Sequence, residues 1–247
     1  MKKLKNLHLF VLAFFFLGVT NLKAQGNELR YVWAKSGLII RDAPSIEGKR
    51  VGKLAYGDSI RLVKVTGKSY SVKMMETNKS FEEYHHKEFR LRGNWVQINW
   101  QGQVGFIFDG YLSKFPALRF RNQYDLESIE NWATREFGIF GEERSKRDPN
   151  SDYHKSLLVF KNGIIYSSEG STGWSSTQLV FPGGSINEGF LLYDLQNRLT
   201  ERLNNGESVF QFFKIQTDYS IKFYDDTFET EVTQIGGILL ITSDGGC

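Results

Sequence analysis

The 247-residue sequence predicts a mainly β protein of the α+β class, with a small β-barrel followed by an antiparallel α+β domain containing one or two helices. Three observations support this prediction. The first half consists of short alternating runs separated by glycine turns, which is typical of small barrels. The second half adds two helical patterns to further strand patterns. The aromatic content of 15% is ample for a packed core and excludes a disordered chain.

Local charge divides the chain near the Phe115-Pro116 junction. Residues 25–115 contain 15 Lys and Arg against 9 Asp and Glu, a net charge of +6, whereas residues 116–247 contain 12 against 19, a net charge of −7. Proline cannot donate a hydrogen bond to a strand ladder. We therefore expect a barrel domain at 29–115 and a second domain at 116–247.

The first 24 residues have the layout of a secretory signal, with lysines before an apolar run and a small residue at its exit. The run Leu7–Val19 has 13 residues, fewer than the roughly 20 that a membrane-spanning helix needs. We expect cleavage after Ala24, no membrane span in the mature chain, and a periplasmic or secreted location. Cleavage removes four lysines and leaves a net charge of −1, which argues against a nucleic-acid partner.

Two signals predict the strands of the first half: apolar residues alternate within each run, and turn residues separate the runs. They are Arg30–Ala34, Leu38–Arg41, Val51–Leu54, Ser59–Val65, and the hairpin arms Trp95–Trp100 and Gln103–Phe108 about Gln101-Gly102. So many short strands in about ninety residues indicate a strongly bent barrel.

The run Gly37–Ser45, with the sequence GLIIRDAPS, resembles the opening signature of the bacterial Src-homology-3 (SH3) domain family. Further pieces of the family pattern follow in the same order, at Val51–Leu54, Gly57-Asp58, Trp95-Val96, Gly102–Ile107 and Tyr111-Leu112. The resemblance covers residues 29–115. It implies an SH3-like barrel that binds cell-wall peptidoglycan or another envelope peptide. Residues 116–247 resemble no family that the sequence allows us to name.

Two features depart from the family pattern. Gly105-Phe106 stands where the family usually has Gly-Trp, which keeps the apolar surface and loses the indole donor. An insertion at 68–92 contains Tyr70–Met75 and Glu88–Arg92, which we expect to extend two strands into a projecting hairpin. Because the insertion would reshape the rim of a groove, the ligand preferences of the family are not transferred.

The second half predicts two helices among antiparallel strands. A helix capped by Asn122 or Asp125 runs to Phe137, because apolar residues recur along one face. A charged loop is expected over Gly138–His154, and a second helix after the capping box Ser185–Glu188. The predicted strands are Leu157–Phe160, Ile164–Ser167, Thr177–Phe181, Val209–Ile215, Tyr219–Tyr224, Phe228–Thr233 and Ile238–Thr242.

The sequence shows no arrangement of residues that predicts catalysis or metal binding. The one cysteine, Cys247, is the last residue and lacks a catalytic-cysteine signature; an unpaired thiol there can link two copies. His85 and His86 are adjacent and cannot form the i, i+4 pair of a zinc helix. The serine and glycine runs lack nucleophile-elbow spacing. We therefore predict a protein that is not an enzyme and has no metal or cofactor.

The candidate ligand-binding residues are aromatic and basic residues of the barrel. They are Tyr31, Trp33, Arg41, Tyr56, Trp100, Phe106, Phe108 and Tyr111. Roughly two-thirds of the barrel aromatics are expected to fill its interior. The others would form a groove of the kind that holds extended peptides.

These observations predict an exported, non-catalytic protein of the cell envelope whose barrel binds peptidoglycan or another envelope peptide. Two alternatives stay open. The charge split between the halves suits an inhibitor or immunity-type protein that binds one protein partner in the periplasm. The second alternative is a hydrolase in the acidic second half, which requires a cleft with two convergent ionisable groups.

Overall fold

The computed structural model describes residues 27–75, 88–122, 125–144, 152–206, 212–217, 219–224 and 227–246. The expected signal peptide, the centre of the insertion with His85 and His86, and Cys247 lie outside the described residues. Across the described ranges the chain is mainly β with two antiparallel sheets, which confirms the predicted fold class, and it has three α-helices where one or two were expected.

The first sheet curls into a half-barrel. Its strands are β1 Glu28–Val32, β2 Leu38–Arg41, β3 Arg50–Leu54, β4 Ser59–Met75, β5 Phe89–Trp100, β6 Gln103–Phe108 and β7 Leu112–Ser113, with a 3-10 turn at Asp109–Tyr111. The strand order is β3-β2-β6-β5-β4-β1-β7. β4 and β5 pair as far as Met75 and Phe89. The two segments of the insertion therefore extend these strands, as predicted.

A compact apolar core fills the inside of this sheet. Ile40 on β2, Val96 and Ile98 on β5, and Ile107 on β6 are fully buried in it. Residues two apart on β5 share a face, as the pleat of a strand requires. The Trp100 ring lies so close to Gly52 that a side chain at that position would overlap it, which explains the glycine in β3.

The second sheet has eight strands in two four-stranded meanders. They are β8 Ile139–Arg144, β9 His154–Phe160, β10 Ile165–Ser171, β11 Trp174–Pro182, β12 Phe212–Thr217, β13 Ser220–Tyr224, β14 Phe228–Ile235 and β15 Ile238–Gly246. The order is β12-β13-β14-β15-β11-β10-β9-β8, so the last strands of the two meanders pair at the centre, where Gln178 faces Thr242.

A helix precedes each meander. Helix α1 spans Ile129–Phe137, and α2 Ile186–Asn197 leads into the short α3 Leu199–Asn204. The predicted capping box at Ser185 and Glu188 is present at the start of α2. In the described part of the chain, no helix combines the length and the apolar character needed to cross a lipid bilayer.

Two predictions for the second half were wrong. The N-cap of α1 is Ser128, whose hydroxyl accepts from the Asn131 amide, and not Asn122 or Asp125. Part of the expected loop at 138–154 is strand β8. This strand lies at the edge of the sheet, where both faces tolerate charge, and so Glu142, Glu143 and Arg144 hid its strand character.

Helix α2 packs between the two sheets and joins their cores. Phe190 is fully buried, 4.3 Å from the Phe89 ring of β5 and 6.4 Å from the Phe223 ring of β13. Trp33 and Leu91 of the half-barrel belong to the same buried cluster. The two predicted domains thus share apolar contacts, while the boundary at residue 116 stays a prediction.

The segment that connects the two sheets is fixed by side chains from both sides. The Trp33 indole donates to the Phe115 carbonyl at 3.0 Å, and the Trp132 indole of α1 donates to the Pro116 carbonyl at 3.0 Å. The Tyr56 hydroxyl donates to the Leu118 carbonyl at 2.9 Å. Backbone carbonyls that would otherwise lack partners are therefore satisfied along the connection.

The first turn of α2 forms a closed polar contact with the half-barrel, which we call the seam. Glu188 is 6% exposed and accepts from the Ser113 hydroxyl at 2.6 Å and from the Lys114 amide at 3.1 Å. Asn187 donates to the Arg92 carbonyl at 2.6 Å. The seam thus ties β5 and β7 to the N-terminus of α2.

Candidate functional site

A cavity of about 690 Å³ lies beyond the seam, between the half-barrel and helices α2 and α3. We call it the cleft. The half-barrel contributes its loop at 33–39 and the side chains Tyr70, Val72, Met74, Trp95, Phe108 and Tyr111. The helices contribute Leu191, Asp194, Leu195, Arg198, Thr200 and Glu201. Its volume lies within the range of small-molecule and peptide sites, about 300–1,000 Å³.

The barrel wall of the cleft is apolar and aromatic. Tyr70, Val72 and Met74 are two apart on β4 and therefore share one face. The Tyr70 ring meets the Phe108 ring edge-on at 5.3 Å, and Tyr111 meets Phe108 edge-on at 5.9 Å. Edge-to-face packing holds these rings in fixed orientations, so they present a preformed surface.

Asp194 is one of two acidic groups of the helix wall, and the other is Glu201. Its Oδ1 accepts from the Thr200 amide at 2.6 Å and from the Thr200 hydroxyl at 2.7 Å. Burial raises the pKa of this carboxyl above its usual range, while the bonds from Thr200 and the charge of Lys35 act in the opposite direction. Its charged form is therefore incompletely compensated.

Two cations of the cleft, Lys35 and Arg198, are paired with Glu201. Lys35 Nζ lies 2.9 Å from Glu201 Oε2, and Arg198 Nη2 lies 2.6 Å from Glu201 Oε1. Hydrogen bonds from Arg198 and then Lys35 lower the pKa of Glu201 to about 2. This network links the half-barrel to α3 across the mouth of the cleft.

Arg198 adopts a left-handed backbone conformation, with φ 54° and ψ 32°, at the junction of α2 and α3. This region is unfavourable for residues other than glycine, asparagine and aspartate. Strained residues of this kind often occur at functional sites. Here the turn redirects the chain so that Glu201 of α3 faces Lys35.

The predicted site residues fall into three places. Trp33, Arg41, Phe108 and Tyr111 line the cleft, although Trp33 is 1% and Phe108 4% exposed. Tyr31 and Tyr56 line a separate cavity of about 540 Å³ beside residues 116–120. Trp100 and Phe106 line neither cavity and pack against the cores. The ligand-binding role of all eight stays a prediction.

Several polar and aromatic residues of the cleft were not among the predicted site residues, and Tyr70, Asp194 and Arg198 are the most informative of them. Tyr70 belongs to the run Tyr70–Met74 inside the insertion, and the alternation in this run indicates that Tyr70 shares one strand face with Val72 and Met74. Asp194 interrupts the buried stretch of α2, and a lone acid among apolar helix residues is a usable signal. Arg198 gave no signal, because its left-handed conformation cannot be predicted from an arginine.

Metal ligands do not converge in the parts of the chain that the structure describes: no three His, Cys, Asp or Glu side chains lie where they could hold an ion.

Residues 36–113 match the family model of the bacterial SH3 domain. The match covers 78 of the 247 residues, so it assigns this segment, and not the whole chain, to the family. The match runs from Ser36, which lines the cleft, to Ser113, which bonds Glu188 in the seam. This confirms the family resemblance of the N-terminal half, and bacterial SH3 domains are binding modules. Comparison of the chain with curated proteins and with solved structures gave no match.

Proposed function

We propose that the protein is an exported, non-catalytic component of the cell envelope, in which the SH3 domain and helices α2 and α3 together bind an extended peptide. The peptide stem of peptidoglycan is the first candidate, and another envelope peptide is the second. The cleft is the observation that carries this proposal, because it joins an aromatic wall of the SH3 domain to a polar wall of the second half. The lysine-rich leader supports export.

The volume of about 690 Å³ and the chemistry of the cleft suit a short extended chain. Aromatic faces supply apolar contact with little loss of side-chain entropy, and a few polar groups fix the register. The alternating face of Tyr70, Val72 and Met74 matches the two-residue repeat of an extended ligand.

The pairing of Glu201 supports a non-catalytic role. Hydrolysis by two carboxylates requires both groups to be available to substrate or water. Asp194 and Glu201 are the two carboxylates of the cleft wall, but both oxygens of Glu201 accept from Arg198 or Lys35. We therefore infer that Asp194 and Glu201 do not act together as an acid–base pair.

Co-sedimentation of the chain from Gln25 onward with purified peptidoglycan sacculi tests the proposal. Tyr70→Ala removes a ring from the cleft, whereas the control Phe140→Ala removes an exposed ring from edge strand β8. Wild type and Phe140→Ala should pellet with sacculi, and Tyr70→Ala should pellet at least about fivefold less while keeping its thermal unfolding transition. Absence of wild-type pelleting, or equal pelleting of both variants, would contradict the proposal.

A protein-binding role is the second candidate, and one surface of the second sheet favours it. Trp174 is 43% and Phe228 46% exposed, and both border a shallow depression of about 660 Å³ with Glu169, Glu229 and Asp244. Exposed aromatics among acidic groups suit a basic protein partner. If an envelope protein binds this chain, Trp174→Ala should weaken that complex and leave sacculus binding unchanged. An unchanged protein complex together with weaker sacculus binding would exclude this surface as the protein-binding site.

A further inference from the structure

The carboxylate of Asp194 has an unused hydrogen-bonding position inside the cleft. Oδ1 accepts both bonds from Thr200, and Oδ2 has no hydrogen-bond partner among the residues that the structure describes. The side chain is partly buried and lines the cavity. A carboxylate withdrawn from water without a full set of donors costs free energy, which a donor on a ligand can recover.

The cations near Asp194 do not satisfy it. Lys35 and Arg198 both bind Glu201, and within the described ranges neither lies within ion-pair distance of Asp194. Lys35 influences the pKa of Asp194 only through its charge at longer range. The charge of Asp194 is therefore available to a cation that enters the cleft.

Aromatic rings surround the approach to this carboxylate from the half-barrel side. The Tyr111 hydroxyl donates to the Met74 sulfur at 3.4 Å, a weak acceptor. Tyr111 and Asp194 both line the cleft, and burial, followed by the negative charge of Asp194, raises the pKa of Tyr111 to about 12. A carboxylate beside the rings of Tyr70 and Tyr111 is a favourable environment for an organic ammonium group.

We propose that Asp194 is the specificity-determining residue of the cleft and that it binds a protonated primary amine of the ligand. This inference rests on the proposed peptide-binding function and adds to it the chemical class that is recognised. The shared chemistry is an alkylammonium group beside an apolar segment, whether it comes from a free peptide N-terminus or from an amino side chain. Glu201 takes no part in the selection, because Arg198 and Lys35 occupy it.

A pair of small probes tests the inference directly with the full chain. Benzylamine and benzyl alcohol have similar size and the same ring, but only benzylamine carries an ammonium group at neutral pH. Binding measured by saturation-transfer NMR should favour benzylamine by about tenfold or more in the wild type, as expected for a charge-assisted hydrogen bond. Equal binding of the two probes would overturn the inference without the need for any variant.

Two matched variants show which carboxylate causes the preference for benzylamine. Asp194→Asn retains an oxygen for the Thr200 bonds and removes the charge, so it should abolish the preference for benzylamine. Glu201→Gln makes the same change on a carboxylate that is already paired, so it should leave the preference intact. Retention of the preference in Asp194→Asn, or its loss in Glu201→Gln alone, would overturn the assignment.

Peptide ligands separate this inference from the proposed function. A stem-type tetrapeptide with a free α-amine and a lysine should bind the wild type, and acetylation of one of the two amines should weaken binding by about tenfold only when Asp194 is present. The amine whose acetylation has this effect is the source that the cleft recognises. If the small-probe preference depends on Asp194 but no peptide binds, the amine site stands and the peptide-binding function falls.

Discussion

Helix α2 meets the half-barrel in two regions that differ in how completely their polar groups are paired. In the seam, both oxygens of Glu188 accept hydrogen bonds, from Ser113, Lys114 and Ser185. In the cleft, about two turns along the same helix, one oxygen of Asp194 has no partner within the described residues. The seam therefore has the properties of a structural contact, and the cleft has those of a site prepared for a ligand.

Removal of the Phe190 ring, which lies in the apolar core next to the seam, should have the largest effect on the free energy of unfolding. Phe190 is fully buried between Phe89 and Phe223, so Phe190→Ala should lower the free energy of unfolding by about 3–5 kcal/mol. Chemical denaturation measures this loss. The control Leu203→Ala, at an exposed position of α3, should change it by less than about 1 kcal/mol. Similar losses in the two variants would contradict the assignment of a shared core.

Glu188→Ala should have the next largest effect, about 3 kcal/mol of destabilisation, because it leaves the buried Ser113 hydroxyl and the Lys114 amide without their acceptor. It also removes the capping box of α2. The same substitution at Glu47, an exposed loop position, should stay within about 0.5 kcal/mol. A loss below about 1 kcal/mol at Glu188 would show that the seam contributes little to stability.

Arg198→Gly should increase stability by about 0.5 kcal/mol, since glycine adopts the left-handed conformation without steric cost. The lost pair with Glu201 is solvent-exposed and therefore contributes little. Arg202→Gly in the middle of α3 should instead destabilise by about 1 kcal/mol. If both variants are destabilised equally, the conformation of Arg198 is not strained.

Asp194 should make a small contribution to the pH dependence of the free energy of unfolding. Its pKa is raised in the folded state, so the folded protein holds this proton more tightly than the unfolded chain does. The contribution of the group is therefore most favourable below the ordinary pKa of aspartate and is lost as the pH rises through the raised value. Asp194→Asn should lack this dependence, so wild type should lose stability relative to the variant as the pH rises from the ordinary pKa of aspartate through the raised value. An opposite slope would mean that the carboxylate is well paired.

Much of the fold was predictable because its signals are local. The hairpin about Gln101-Gly102, the strand Leu38–Arg41 and the capping box at Ser185 are all set by residues close together in sequence. Strand β8 was missed because its charged residues are tolerated only at a sheet edge, and the edge is defined by the whole sheet.

The cleft was only partly predictable because its walls come from distant segments. Trp33, Phe108 and Tyr111 were identified as candidates from their place in the SH3 domain, but alternation does not reveal that α2 covers one side of them. Asp194 lies 83 residues beyond Tyr111 in the sequence, and only the packing of α2 against the half-barrel brings the two together.

Backbone NMR of the uniformly labelled chain during titration with soluble peptidoglycan fragments compares the two regions in one measurement. The proposed function predicts chemical-shift changes that centre on Tyr70, Tyr111 and Asp194, while Ser113 and Glu188 in the seam keep their positions. Changes that centre on Tyr56 and Phe120, or on Trp174 and Phe228, would move the binding site to another surface. An unchanged spectrum at saturating fragment concentration would contradict peptidoglycan binding by this protein.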